Sequence, residues 1–172
     1  MKTRRSVGIF LLEIISCLLL VALDLWTKSA AAAALKGQSP IVLIEGVLEL
    51  RYVQNTGAAF SILENAQWLF ILIALAAMGV IAFLLTRIPQ TRHYLSMHVL
   101  LTLIAAGAAG NLIDRITLNY VRDFIYFSLI DFPIFNVADI YVTVSTVLLV
   151  LSILFYYEDD DFIFLRRGKD AA

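Results

Sequence analysis

Apolar residues run along this chain in long blocks broken by short polar interruptions, and the blocks predict the elements. Four stretches reach the roughly 20 apolar residues a helix needs to cross the hydrocarbon core: 7–25, 67–86, 95–113 and 137–157. The second, which opens "WLFILIALAAMG", carries no charge. The first carries Glu13, the third His98 and the fourth Asp139. Between the first two spans "GVLELRYV" alternates Leu48, Leu50 and Tyr52 with Glu49 and Arg51, the period of a strand lying on an apolar surface.

Composition agrees with this pattern. Of the 172 residues, 61% are hydrophobic and 16% charged, and the mean hydropathy is +0.87. These values belong to an integral membrane protein. A chain of this length that spends its residues on four spans is expected to be one membrane domain, 1–172, so any chemistry sits on the spans or their connections. A net charge of −1 without a basic patch points away from nucleic acid. One cysteine, Cys17, permits no internal disulfide, and "IISC" before it reads as a buried thiol rather than a lipidation box.

Charge near the span ends predicts the orientation. Lys2, Arg4, Arg5, Arg87, Arg92, Arg166, Arg167 and Lys169 fall on one side, against Lys28, Lys36, Arg51, Arg115 and Arg122 on the other. The excess predicts cytoplasmic termini and outward connections at about 28–66 and 114–136. The basic start, apolar run and "SAAAAAL" imitate a secretory signal, but the run is too long, and Asp24 and Lys28 stand before the alanines, so an uncleaved anchor is expected. The acidic "EDDD" at 158–161 is expected to be a solvated end to the fourth helix.

That topology collects polar residues at the outer boundary: Asp24, Asn55, Asn111, Asp114, Arg115, Asp123, Asn136 and Asp139. Asn111, Asp114 and Arg115 stand at i, i+3 and i+4, and Asn136 and Asp139 at i and i+3, so each set shares a helix face. Each residue also has a plainer role. Asn136 or Asp139 can cap a helix, Asp114 can pair with Arg115 or Arg122, Asp24 can pair with Lys28, and Glu13 can find a partner across the bundle in His98 or a Ser/Thr hydroxyl. His93 and His98 belong to the cytoplasmic end, which excludes a Ser-His-Asp triad or a His-ligated zinc at the outer site. A Ser/Lys pair of Ser29 and Lys28 would sit in an alanine-rich loop with nothing to orient it. Two aspartates, Asp123 and Asp139, remain as a pair that can share one proton, so that the ionised member activates water while the protonated one assists a carbonyl. A proton-coupled transporter relaying through Glu13, Asp24 and the two aspartates, or a noncatalytic assembly factor, are the competing readings.

"DLWTK" at 24–28, "NTGAAFS" at 55–61, "GNLIDR" at 110–115, "VRDF" at 121–124 and "FNVAD" at 135–139, in this order over nearly the whole chain, closely resemble the lipoprotein signal peptidase family, also called signal peptidase II. The resemblance implies a four-helix bacterial inner-membrane aspartyl endopeptidase that needs no cofactor or metal. Such an enzyme removes signal peptides from prolipoproteins, cutting before a cysteine that carries diacylglycerol. By position, Asp123 and Asp139 would be catalytic, and Asp24, Asn55, Gly57, Asn111, Asp114, Arg115 and Asn136 would line the substrate pocket. Its partners would be diacylglyceryl-modified prolipoproteins and membrane lipid, and four spans around one site require no more than a monomer. The family places a small sheet near "GVLELRYV", and "DFIYFSLIDFPIF" brings Phe124, Tyr126, Phe127, Phe132 and Phe135 to the interface, as a flap over substrate, as an aromatic belt, or as both. The chain departs from the family at Ala106, where a glycine is frequent, and at Ile140, where a small residue is frequent.

Overall fold

The computed structural model describes residues 6–57 and 67–165. The basic residues 2, 4, 5, 166, 167 and 169, and the "AAFS" of "NTGAAFS", lie outside these. Four helices are long and apolar enough to cross a membrane: α1 (Val7–Leu35), α2 (Gln67–Arg87), α3 (Leu95–Leu118, preceded by a 3-10 turn at Arg92–Tyr94) and α4 (Val137–Phe155). Three strands, β1 (Ile41–Ile44), β2 (Leu48–Asn55) and β3 (Val121–Phe127), form an antiparallel sheet in the order β1-β2-β3.

Most of the spans' apolar side chains face outward, as lipid-facing helices require: Leu19, Leu72 and Leu154 are all exposed. The exception is α3, which packs against α1, α2 and α4 and buries Leu101, Ala106, Gly107 and Gly110. Without a hydrophobic drive between helices in lipid, close backbone approach depends on small residues. Gly107 supplies it toward α4, since a Cβ there would stand 2.5 Å from the Ala138 carbonyl oxygen and 2.7 Å from Val142 Cγ2. Gly110 supplies it toward α1, where a Cβ would collide with the Asp24 carboxylate. Ala106 is fully buried in the same seam, so the methyl group this chain carries is accommodated.

The first span is longer than its hydropathy predicts. At 29 residues, α1 continues ten past the expected end at 25, so Lys28 and Ser29 are helical and not in a loop. Three of its buried residues, Lys28, Ala31 and Leu35, lie in this extension, and the fourth, Asp24, stands just before it. They recur every three or four residues, one helix face. Ala31 and Leu35 pack with Phe124 of β3, so the sheet covers the end of α1. The polar residues that looked like the end of a span are the inner face of a helix roofed by the sheet.

The sheet holds one loop in place. Val53 pairs with Asp123 and Asn55 with Val121 across β2 and β3. Phe135 then bonds back to β3 through its N–H to the Ile125 carbonyl at 3.0 Å and its carbonyl to the Ile125 N–H at 2.8 Å. The chain entering α4 is thereby fixed against the strand that carries Asp123. Of the expected flap, the first half is β3 itself, with Phe124 buried; the stretch after it carries the exposed Leu129, Ile130 and Phe132.

At the opposite end, the Ser6 N–H donates to Gln90 Oε1 at 2.7 Å and Arg87 reaches the Phe164 carbonyl, which brings both ends of the described chain to the α2–α3 connection. The acidic stretch is more than a solvated end. Residues Asp159–Leu165 form a 3-10 helix folded onto that connection, with Asp161 Oδ1 2.9 Å from His93 Nε2 and the Tyr94 hydroxyl donating to the Asp161 carbonyl at 2.8 Å. Glu13 and His98 meet as the sequence suggests, at 2.7 Å between α1 and α3.

Candidate active site

At the end of the bundle away from both described termini, α1, α3, α4 and the sheet bring together a set of buried polar groups. α4 begins here with a reciprocal cap. The Asn136 side chain accepts from the Asp139 N–H at 3.1 Å, and Asp139 Oδ2 accepts from the Asn136 N–H at 3.0 Å. This cap fixes the Asp139 carboxylate and leaves its second oxygen for Asn111, whose Nδ2 donates to Oδ1 at 2.8 Å. Capping and membership of the site are one arrangement.

Asp123 reaches the same place from β3. Its Oδ1 accepts from Asn136 Nδ2 at 2.6 Å and its Oδ2 from Asn55 Nδ2 at 2.7 Å. Asn136 therefore touches both carboxylates, one with its side chain and the other with its backbone. Asp123 is 2% exposed, and burial pushes its carboxyl up to about 6. The Asn55 and Asn136 hydrogen bonds and the Lys28 charge oppose that rise, while the negative charge of Asp139 adds to it. A carboxyl in this condition can hold a proton near neutral pH, which two solvated aspartates cannot.

Asn55 is steadied by the backbone that follows it. The Gly57 N–H donates to Asn55 Oδ1 at 2.9 Å, and Gly57 has φ +111, a conformation only glycine adopts without strain. The amide of Asn55 is thus turned with its nitrogen toward Asp123.

Asp24 and Asp114 are fully buried, and each has both oxygens engaged within the protein. Asp24 accepts from the Ala138 N–H at 2.9 Å and from Lys28 Nζ at 2.7 Å, tying α1 to the start of α4. Asp114 takes the Arg122 side chain on both oxygens, at 2.7 and 3.0 Å, and the Arg122 N–H at 3.0 Å, tying α3 to β3. The pairs that the sequence offered as plain ion pairs are present, and they assemble the frame around the aspartates. Arg115 packs over the Phe70 ring at 5.1 Å, within Coulombic reach of Asp139 and Asp123, and its buried Nε has no hydrogen-bond partner among the described residues.

Every residue expected at the site is therefore gathered at one end of the bundle. One residue was missed in that role. Lys28 is fully buried and donates to Asp24 Oδ2 and to Asn111 Oδ1, both at 2.7 Å. Its neighbour Ser29 donates to the Leu25 carbonyl and accepts from Arg122, so the two do not form a nucleophile and its base. The signal for Lys28 was its spacing of four from Asp24 in "DLWTK". Among the described residues no group of His, Cys, Asp and Glu is arranged to hold a metal.

Known proteins share this arrangement of sequence and fold. The family model described as signal peptidase (SPase) II matches residues 16–155. A lipoprotein signal peptidase of Streptococcus thermophilus is 41% identical over 137 residues, 80% of this chain and 88% of the relative. Its counterpart in Streptococcus pyogenes is 38% identical over 151 residues, 88% of this chain and 96% of the relative. Two solved structures described as bacterial membrane enzymes superpose with TM-scores of 0.75 and 0.76 at 28% and 30% identity, over 100% and 91% of this chain and 99% of each counterpart. With a family model spanning most of the chain and relatives near two-fifths identical along most of their own length, this chain belongs to the signal peptidase II family.

Proposed function

We propose that this protein is an aspartyl endopeptidase of the bacterial inner membrane that removes the signal peptide from diacylglyceryl-modified prolipoproteins, cutting before the lipidated cysteine. The observation that carries this reading is the double contact of Asn136 with Asp123 and Asp139, which holds two carboxylates against one residue in a mostly buried setting. The pair shares a proton. Its ionised member removes a proton from water as the oxygen attacks the scissile carbonyl, and its protonated member donates to the carbonyl oxygen. Reversal of the two transfers protonates the leaving nitrogen and restores the pair. Arg115 and Asn55 stand beside the carboxylates, where the substrate backbone would pass, while Asp24, Asn111, Asp114 and Asn136 hold the frame.

The position of the pair suits such a substrate. Each buried methylene of a lipid anchor contributes about 0.8 kcal/mol, so a diacylated peptide stays in the bilayer and the scissile bond has to be met at the membrane boundary. In the orientation read from the basic residues, that boundary is the outer face. A transporter relay fits less well. Asp24, Asp114, Asp123 and Asp139 gather at one end, and Glu13 is held apart by His98 at the other. Binding and turnover of a diacylglyceryl-modified peptide by purified protein separate these readings. Asp123→Asn and Asp139→Asn are expected to bind the peptide and leave it intact, whereas a docking protein would show no turnover even as wild type.

A further inference from the structure

Lys28 is fully buried, yet it lies outside the pair and cannot reach solvent to act on water. Its ammonium has three protons and no lone pair, so every neighbour it bonds has to present an acceptor. Two of those neighbours are Asp24 Oδ2 and Asn111 Oδ1, and Asp114 Oδ2 lies 4.0 Å away. A carboxamide is nearly symmetric in shape, and its orientation is decided by its partners. With its oxygen drawn to Lys28, Asn111 turns its nitrogen to Asp139 Oδ1. The same oxygen accepts from Asn136 Nδ2 at 3.1 Å, and the other hydrogen of that nitrogen goes to Asp123. At the far end Asn136 is pinned by the Asp139 N–H.

We infer that Lys28 is a positioning residue for the aspartate pair: it polarises the Asn111–Asn136 amide bridge so that an N–H faces each carboxylate, and it supplies the positive charge against which the pair holds its proton. This rests on the aspartyl peptidase reading above. If Lys28 were replaced by an apolar side chain, the charged one of the two pins on this bridge would go. The Asn111 oxygen could then turn toward Asp139, where it matches only a protonated carboxyl. The other charged groups around the pair, Asp24 on α1, Asp114 and Arg115 on α3 and Arg122 on β3, would stay.

The test is the pH profile of kcat/KM for a diacylglyceryl-modified peptide with wild type, Lys28→Met and Lys28→Gln. The Gln variant keeps two N–H donors without the charge. Loss of a cation favours the protonated pair, so the alkaline limb is expected to move up by roughly half to one pH unit in both variants. The rate at the optimum is expected to fall roughly 10- to 100-fold in Lys28→Met, the range of one lost charge-assisted hydrogen bond, and less in Lys28→Gln. The position of a limb does not depend on how much of the enzyme is folded, so a poorly folding variant still answers. A limb that stays where it is in the wild type, with a rate loss matching the loss of folded protein, overturns the inference. Full turnover by Asp123→Asn would overturn the peptidase reading instead.

Discussion

Replacing Asp123 by Asn is expected to stabilise the protein at neutral pH while abolishing its activity. The carboxyl is buried and pushed up to about 6 from an ordinary value of 3.8. A group raised in this way binds its proton more tightly folded than unfolded. Its stabilising protonation is complete below the unfolded value and is lost as pH rises through about 6. A rise of about two units corresponds to about 3 kcal/mol of strain at about pH 7.5, all of which Asn avoids by being neutral. Against this, Asn keeps one acceptor for the two donors Asn55 and Asn136, so one hydrogen bond worth about 1 kcal/mol is lost. The net expectation is a gain of about 2 kcal/mol at about pH 7.5 that shrinks by about 2 kcal/mol on going to about pH 4.5. Thermal unfolding in detergent at both pH values reads this as a difference in melting temperature between variant and wild type. A variant equally or more destabilised at the higher pH would refute the argument that burial strains this carboxylate.

The same ionisation predicts that kcat/KM falls roughly tenfold per pH unit above about 6, as the pair loses its shared proton; a flat profile up to about pH 9 would contradict it. Gly107→Ala should destabilise the α3–α4 seam by about 1–3 kcal/mol, because the added methyl meets the Ala138 carbonyl, while Gly79→Ala in α2, with open space around it, should be neutral or slightly stabilising. Melting temperatures of the two variants distinguish these. His98→Leu should cost about 1–3 kcal/mol by removing the imidazole that faces Glu13, and the double change with Glu13→Leu should recover part of that loss in the same unfolding measurement.

The spans were legible because about 20 consecutive apolar residues admit few other outcomes. Where polar residues entered a span the reading stopped short. Asp24 and Lys28 looked like the end of α1 because nothing in the sequence reveals that a sheet will cover them. β1 offered only "IVLI", four apolar residues without alternation, all of them exposed on the sheet's edge. The alternation that marks a strand is broken in β3, because Asp123 occupies an inward position where the period-two rule expects an apolar side chain. That departure is itself the mark of the site. The helical spacing of Asn111 with Asp114 holds because i and i+3 share a face wherever a helix forms, whereas Asn136 stands just before α4 with extended backbone and meets Asp139 through the cap. Lys28 escaped because its importance lies in a contact 83 residues away, with Asn111.

Mass analysis of the products formed from a diacylglyceryl-modified prolipoprotein peptide by wild type, Asp123→Asn and Asp139→Asn in detergent decides whether the two aspartates cleave before the lipidated cysteine. A catalytic aspartate pair releases the signal peptide and a fragment beginning at the lipidated cysteine in the wild type, and leaves the substrate intact in both folded variants. Cleavage at another bond, or turnover by either variant at the wild-type rate, would contradict it.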